Sequence, residues 1–211
     1  MNKIMMCDDH VMVMDTIGDL LRKENFEVIA TTLSGEACIK AIDSGLIPDV
    51  LILDINMPEM PGYKVAQHFK KHYPNVKILV FSMITDENAV KAMIRIGVNG
   101  FAFKNLTASE LAEIIRKIIS GQEYYPPEFI FSTEEIASIK QQKFPWAEQL
   151  TKKEIQAAQL LANDLSRKQV ASDMGISASS INKKLERIFK KTNQNTTIGI
   201  IRFLRKVGII K

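Results

Sequence analysis

Val50-Leu51-Ile52-Leu53-Asp54-Ile55-Asn56-Met57-Pro58 is the stretch that decides the fold. Four consecutive aliphatic residues form a run of strand length that is apolar on both faces, as a strand inside a parallel sheet must be, and a carboxylate follows at its carboxyl end. Runs of the same kind lie outward from it at residues 4–7, 28–30, 78–81 and 101–103, spaced by roughly 20 to 25 residues, which leaves room for one helix in each interval. The intervals carry helical spacing: Val13, Ile17, Leu20 and Leu21; Ala37, Ala41 and Ile42; Val65, Ala66 and Phe69; Ala89, Val90, Met93 and Ile94; Leu111, Ile114, Ile115 and Ile118. Thr107-Ala108-Ser109-Glu110 is a capping box that opens the last of these helices. Five strands, each followed by a helix, predict a flavodoxin-like, doubly wound α/β domain with a five-stranded parallel sheet over residues 1–121.

In such sheets ligands bind outside the carboxyl ends of the strands. The first run leads into Asp8 and Asp9, the third into Asp54, the fourth into Ser82 and the fifth into Lys104. Three carboxylates, a hydroxyl and an ammonium are therefore expected on one edge of the sheet. Crowded carboxylates repel one another, and a hard divalent cation such as Mg²⁺ relieves them while keeping coordination positions for other oxygens. Asp54 is placed to attack phosphorus and form an acyl phosphate, Lys104 to neutralise a phosphoryl oxygen, and Ser82 to donate a hydrogen bond. Nothing in this set supplies a strong base for water.

Asp8-Asp9-His10, Leu53-Asp54-Ile55-Asn56-Met57-Pro58, Gly62, Ser82 and Gly100-Phe101-Ala102-Phe103-Lys104 resemble the receiver domain of two-component response regulators over about the first 120 residues. The resemblance implies that Asp54 is the phosphoacceptor, that Asp8 and Asp9 bind Mg²⁺ directly or through water with the Asn56 backbone carbonyl, and that Ser82 and Phe101 form a switch pair. Asn105 departs from the pattern, since many receivers carry Pro or Asp there; as a non-proline residue it favours a trans peptide bond. An aspartate-phosphate enzyme is the main rival, but such hydrolases commonly need a second acid where this chain has Asn56. The chain is accordingly read as a non-enzyme.

His68 and His72 lie four apart on a predicted helix, yet no third ligand is evident, and they read as a solvated face. His10 has no role beyond proximity to the acidic pair. The ten methionines are spread through periodic segments as core filler. Cys7 and Cys38 sit in apolar periodic segments and read as buried reduced thiols. The longest unbroken aliphatic stretches are far below the roughly 20 residues of a membrane span, and Asp8 and Asp9 end the apolar start before a secretory segment forms. A cytoplasmic protein without a membrane partner is expected.

Charge divides the chain. Residues 1–121 hold 13 Lys/Arg against 15 Asp/Glu, residues 122–148 hold 2 against 5, and residues 149–211 hold 13 against 4. A tail at +9 attracts a polyanion, with nucleic acid the leading candidate. Residues 122–148 carry Pro126, Pro127 and Pro145 and read as an interdomain linker, in which 132–140 can form a short helix. Its aromatics Tyr124, Tyr125, Phe129, Phe131 and Trp146 either dock the linker on a neighbouring domain or form local core.

The tail, residues 149–211, opens at the capping box Thr151/Glu154, which starts a helix to about Asp164. Ser166 caps a second helix to Met174, Gly175 supplies a left-handed stop, and Ser177 caps a third to about Thr192, a helix-turn-helix. Ile181, Leu185, Ile188 and Thr192 form the core stripe of the third helix, leaving Ser179, Lys183, Glu186, Arg187 and Lys190 outward on a face that is either merely solvated or fits a major groove of double-stranded DNA. Lys184, Lys190 and Lys191 suit phosphates. A last helix, about 197–207, carries Ile198, Ile201 and Leu204 on one stripe.

Leu150-Thr151-x-x-Glu154, Val170-Ala171 and Ile176-Ser177-x-x-Ser180-Ile181 resemble the LuxR-type DNA-binding domain that follows receivers of the NarL/FixJ group. By that resemblance Asn182, Lys183 and Glu186 face bases, Ser180 and Lys184 face the backbone, and the last helix often makes the dimer contact, with a core face as the competing explanation. Lys184, Glu186 and Asp164 depart from the family pattern, the last standing where glycine is common. The expectation is a phosphorylation-dependent transcription regulator that takes phosphate from a sensor histidine kinase or a small phosphodonor and binds DNA as a homodimer. DNA binding independent of phosphate is the alternative.

Overall fold

The apolar runs become strands that hydrogen-bond in the order β2-β1-β3-β4-β5, all parallel. A computed structural model describes residues 1–129, 131–141, 150–192, 194–206 and 209–210. The strands are β1 (Asn2–Cys7), β2 (Phe26–Thr32), β3 (Val50–Leu53), β4 (Lys77–Ser82) and β5 (Gly100–Phe103). They alternate with α1 (Val11–Lys23), α2 (Gly35–Asp43), α3 (Gly62–His72), α4 (Glu87–Ile96) and α5 (Ala108–Ile119). Every residue of β3 is buried, as befits the middle of the sheet, whereas β2 at the edge is largely half-exposed.

Side chains of α1 and α5 pack on one face of the sheet, where Ile4, Met6, Ile52, Leu79 and Phe81 meet Leu21, Leu111, Ile115 and Ile118. The Thr107/Glu110 capping box forms as expected and fixes the start of α5. Cys7 and Cys38 are fully buried free thiols, and burial beside the other thiol pushes the Cys38 pKa far up.

Two compact units divide the chain, residues 1–141 and 142–211. The first therefore continues past α5. Tyr124 follows the edge of β5, its carbonyl accepting from Phe101 N at 2.8 Å. The Tyr125 hydroxyl donates to Val98 O at 3.2 Å, and a further helix, α6 (Thr133–Gln141), packs on α4 with Ile139 buried. Of the two readings of the connector aromatics, Tyr124, Tyr125, Phe129 and Phe131 dock onto the preceding domain; Trp146 and residues 142–149 lie outside the described residues.

The second unit is helical: α7 (Lys152–Ala162), α8 (Arg167–Asp173), α9 (Ala178–Thr192) and α10 (Thr197–Lys206). Capping boxes at Thr151/Glu154 and Ser166/Gln169 start α7 and α8. Gly175 at φ 62° supplies the left-handed turn between α8 and α9. Ile181, Leu185, Ile188 and Thr192 are all buried, so α9 presents the predicted stripe to the core. On α10 the buried face is Ile200, Phe203 and Leu204; of the predicted stripe Leu204 is in the core, Ile201 is half-buried and Ile198 is 65% exposed, because the apolar side chains of this helix run around its circumference.

Candidate functional site

β1 and β3 are neighbours, and Asp54 N donates to Cys7 O at 2.9 Å, so the residues that follow the two strands leave the sheet side by side. Asp8 and Asp54 are each only 3% exposed. Lys104 follows β5, two strands from β3, and its long side chain reaches back over the end of β4. Its Nζ lies 2.6 Å from Asp8 Oδ2 and 2.9 Å from Asp54 Oδ2. Burial of the ammonium lowers its pKa, but the two carboxylates outweigh that and hold it above the ordinary lysine value.

The backbone fixes Asp54 further. Ile55 N donates to its Oδ1 at 2.7 Å, and Gly62 N donates to Ile55 O at 2.9 Å across the loop. A Cβ on residue 62 would stand 2.0 Å from the Asp54 carbonyl oxygen, so only glycine allows α3 to start this close to the end of β3.

Asp9 and His10 complete the pocket. Asp8, Asp9, His10 and Asp54 each offer a ligand atom, all within 4.8 Å of one another. His10 N and Nδ1 lie 3.0 and 2.9 Å from Asp8 Oδ1, and this bond with the Asp9 charge raises the imidazole pKa against burial and Lys104. Sequence reasoning leaves His10 without this contact, because a bond two residues back depends on how the chain turns into α1. Asp9 Oδ1 is buried without a hydrogen-bond partner, although His10 Nδ1 stands 3.1 Å away. Three close carboxylates with one orphaned oxygen form an oxygen-rich donor set that fits Mg²⁺.

Asn56 is exposed on the loop two residues beyond Asp54. Ser82 ends β4, between β3 and β5, and is 1% exposed; its Oγ accepts from Ile84 N at 3.5 Å. Phe101 is fully buried on β5, packed edge-on against Phe103 at 5.9 Å between ring centroids. No cis peptide bond occurs among the described residues, Lys104–Asn105 included. His68 pairs with Asp43 at 3.1 Å on the surface, away from the acidic group. Beside Lys104 and His10 opens a cavity of about 420 Å³, walled by the Val13, Ile17 and Leu20 stripe of α1 and by Leu111 of α5. Met12 and Met83 on its lining are 85% and 72% exposed.

In the second unit Ser179, Asn182, Lys183, Glu186, Arg187 and Lys190 lie exposed along α9, whereas Ser180 and Lys184 are half-buried. Lys191 is turned inward, its Nζ 2.7 Å from Glu154, which is 2% exposed and caps α7. Burial alone would raise the Glu154 pKa; Lys191 and the Thr151 amide and hydroxyl lower it below the ordinary value. Asp164 adopts φ 59°, which accounts for the glycine common at this place in the resembled family.

The pattern of the family described as "Response regulator receiver domain" matches residues 4–116, and that of "Bacterial regulatory proteins, luxR family" matches residues 148–204. Among curated proteins the chain is similar to the transcriptional regulatory protein YdfI of Bacillus subtilis (24% identical, 100% of this chain and 98% of that protein). It is likewise similar to the response regulator protein VraR of Staphylococcus saprophyticus (28% identical, 94% of each). Among solved structures it resembles RcsB of Salmonella enterica serovar Typhimurium bound to promoter rprA (TM-score 0.60, 20% identical, 97% of this chain and 99% of that one). A structure of two RcsB dimers bound to two parallel DNAs is similar at a TM-score of 0.59 and 21% identity, covering 98% of each chain.

Proposed function

The chain belongs to the response regulators, a receiver domain followed by a luxR-family DNA-binding domain, and on that premise we propose that phosphorylation of Asp54 switches its DNA binding. The observation that carries this reading is Lys104 bridging Asp8 and Asp54 inside a pocket where Asp9 keeps a buried oxygen without a hydrogen bond. Asp8, Asp9 and Asp54, with the Asn56 carbonyl, are the groups that would hold Mg²⁺, which supplies charge neutralisation to the transferring phosphoryl group when bound.

An Asp54 carboxylate oxygen attacks phosphorus, the new O–P bond forms, and the bond to the donor breaks with its electron pair leaving on the donor. Lys104, already 2.9 Å from Asp54, transfers its ammonium contact to a phosphoryl oxygen, and the Ser82 hydroxyl turns from Ile84 N to donate to another. Phe101 is already fully buried, at no desolvation cost because its ring carries no polar atom, so its part in the switch is to hold the inward position that lets Ser82 turn toward the phosphoryl group. The phosphoryl group comes from a sensor histidine kinase or a small phosphodonor. The exposed Met12 and Met83 beside the pocket suit contact with a protein donor. The acceptor is read as stoichiometric, each Asp54 taking one phosphoryl group.

Readout is DNA binding through α9, with Asn182, Lys183 and Glu186 toward bases and Ser179, Ser180, Lys184, Arg187 and Lys190 toward the backbone; Lys191, held by Glu154, acts there only if it leaves that pair. RcsB binds DNA as dimers, and homodimer formation on DNA is proposed for this chain. No helix among the described residues is long and apolar enough to cross a membrane, and action in the cytoplasm, where the DNA is, accords with that. The test compares DNA affinity with and without acetyl phosphate and Mg²⁺. Affinity is expected to change in the wild type and to stay constant in Asp54→Asn; equal affinities throughout would contradict the switch.

A further inference from the structure

Arg167, at the first position of α8, sets the hydrogen-bonding character of α9. Its Nη1 donates to Asn182 Oδ1 at 3.2 Å and its Nη2 to Thr197 Oγ1 at 3.4 Å, so one guanidinium links the starts of α8 and α10 to the exposed face of α9. A guanidinium carries donors only, so the amide atom that faces it must be the oxygen. The Asn182 Nδ2 group then points away, and it has no intramolecular partner among the described residues.

An asparagine free of such a neighbour reads adenine by accepting from N6 with its oxygen while donating to N7. Here Arg167 takes one of the two lone pairs of the oxygen, and the cation beside it opposes the approach of the adenine amino group, donor against donor. What the pair offers to a groove is Nδ2–H and the remaining Arg167 donors. Guanine presents two acceptors, N7 and O6, at that edge. We propose that Arg167 is a specificity-determining residue that biases Asn182 from adenine toward guanine. The inference rests on the DNA-binding reading of α9 given above.

The experiment is selection of bound sequences from a random double-stranded library by full-length protein, run both with and without acetyl phosphate and Mg²⁺, in the wild type and in Asn182→Ala, Arg167→Ala and Arg167→Met. The Met variant keeps an apolar stem and the helix start if the Ala variant loses fold, and circular dichroism checks both. The base position whose preference flattens in Asn182→Ala is the one Asn182 reads. Guanine is expected there in the wild type, with the guanine-to-adenine preference moving by about tenfold toward adenine in the Arg167 variants. Adenine at that position in the wild type, no position altered by Asn182→Ala, or an Arg167 profile identical to the wild type would each overturn the proposal while leaving DNA binding intact. A wild type that enriches no sequence contradicts the DNA-binding reading itself.

Discussion

The two units handle charge in opposite ways. In the first, Asp8, Asp54 and Lys104 are nearly sealed from water, and Lys104 sits within hydrogen-bond distance of both carboxylates. In the second, most charges of α9 stand in solvent, and the buried exception, Glu154 with Lys191, ties α7 to α9. Burial raises the energy of each uncompensated charge, so the pocket is sensitive to a change of one charge, which under the proposed function a phosphoryl group supplies. Exposed charges respond weakly to one another and strongly to a polyanion. The contrast separates a place for chemistry from a place for docking.

Removal of the compensating cation breaks the contrast most severely. Lys104→Met leaves Asp8 and Asp54 facing each other in the interior, and without divalent cations the receiver is expected to lose about 3–5 kcal/mol of unfolding free energy. Added Mg²⁺ should restore much of it, read by denaturant titration with and without the metal. An unchanged midpoint without metal would show that the pocket carries no such charge tension.

Glu154→Ala applies the same test to the second unit, with a smaller loss of about 2 kcal/mol, because Lys191 remains partly solvated. The folded-state pKa of Glu154 lies below its ordinary value of 4.5, so its contribution is complete above about that pH and disappears as pH falls through the folded value. The gap in unfolding free energy between wild type and variant should therefore narrow on acidification below pH 4.5. A pH-independent gap would mean that packing, not charge, is what the variant removes.

Asp164→Gly is the mildest change. It relieves a left-handed backbone at φ 59° and is expected to stabilise the second unit by about 1 kcal/mol in thermal unfolding. Destabilisation would show that the Asp164 side chain contributes more than its backbone costs.

Sequence periodicity carried the sheet and the pocket far, since strand ends in a parallel sheet line up and the residues after them, Asp8, Asp54, Ser82 and Lys104, must share an edge. The caps at Thr107, Thr151 and Ser166 were readable because their partners lie three residues away. Contacts between distant parts were not. Phe129 lies 6.0 Å from Phe103 and 6.4 Å from Phe131, an aromatic seam that joins the connector to β5; the composition offers docking and local core as equal readings and does not choose between them. Lys191 reads as another exposed cation until its partner 37 residues earlier is located, and the Arg167 bond to Asn182 is hidden for the same reason. The order of Ile198, Ile200 and Ile201 on α10 does not say which neighbours that helix will meet.

The proposed switch stands or falls on Asp54 being the residue that becomes an acyl phosphate. Intact mass followed by peptide mapping, after incubation of the full chain with acetyl phosphate and Mg²⁺, tests it most directly. A gain of one phosphate located on Asp54, absent from Asp54→Asn, is the predicted result. No gain in the wild type, or the same gain in Asp54→Asn, would contradict it.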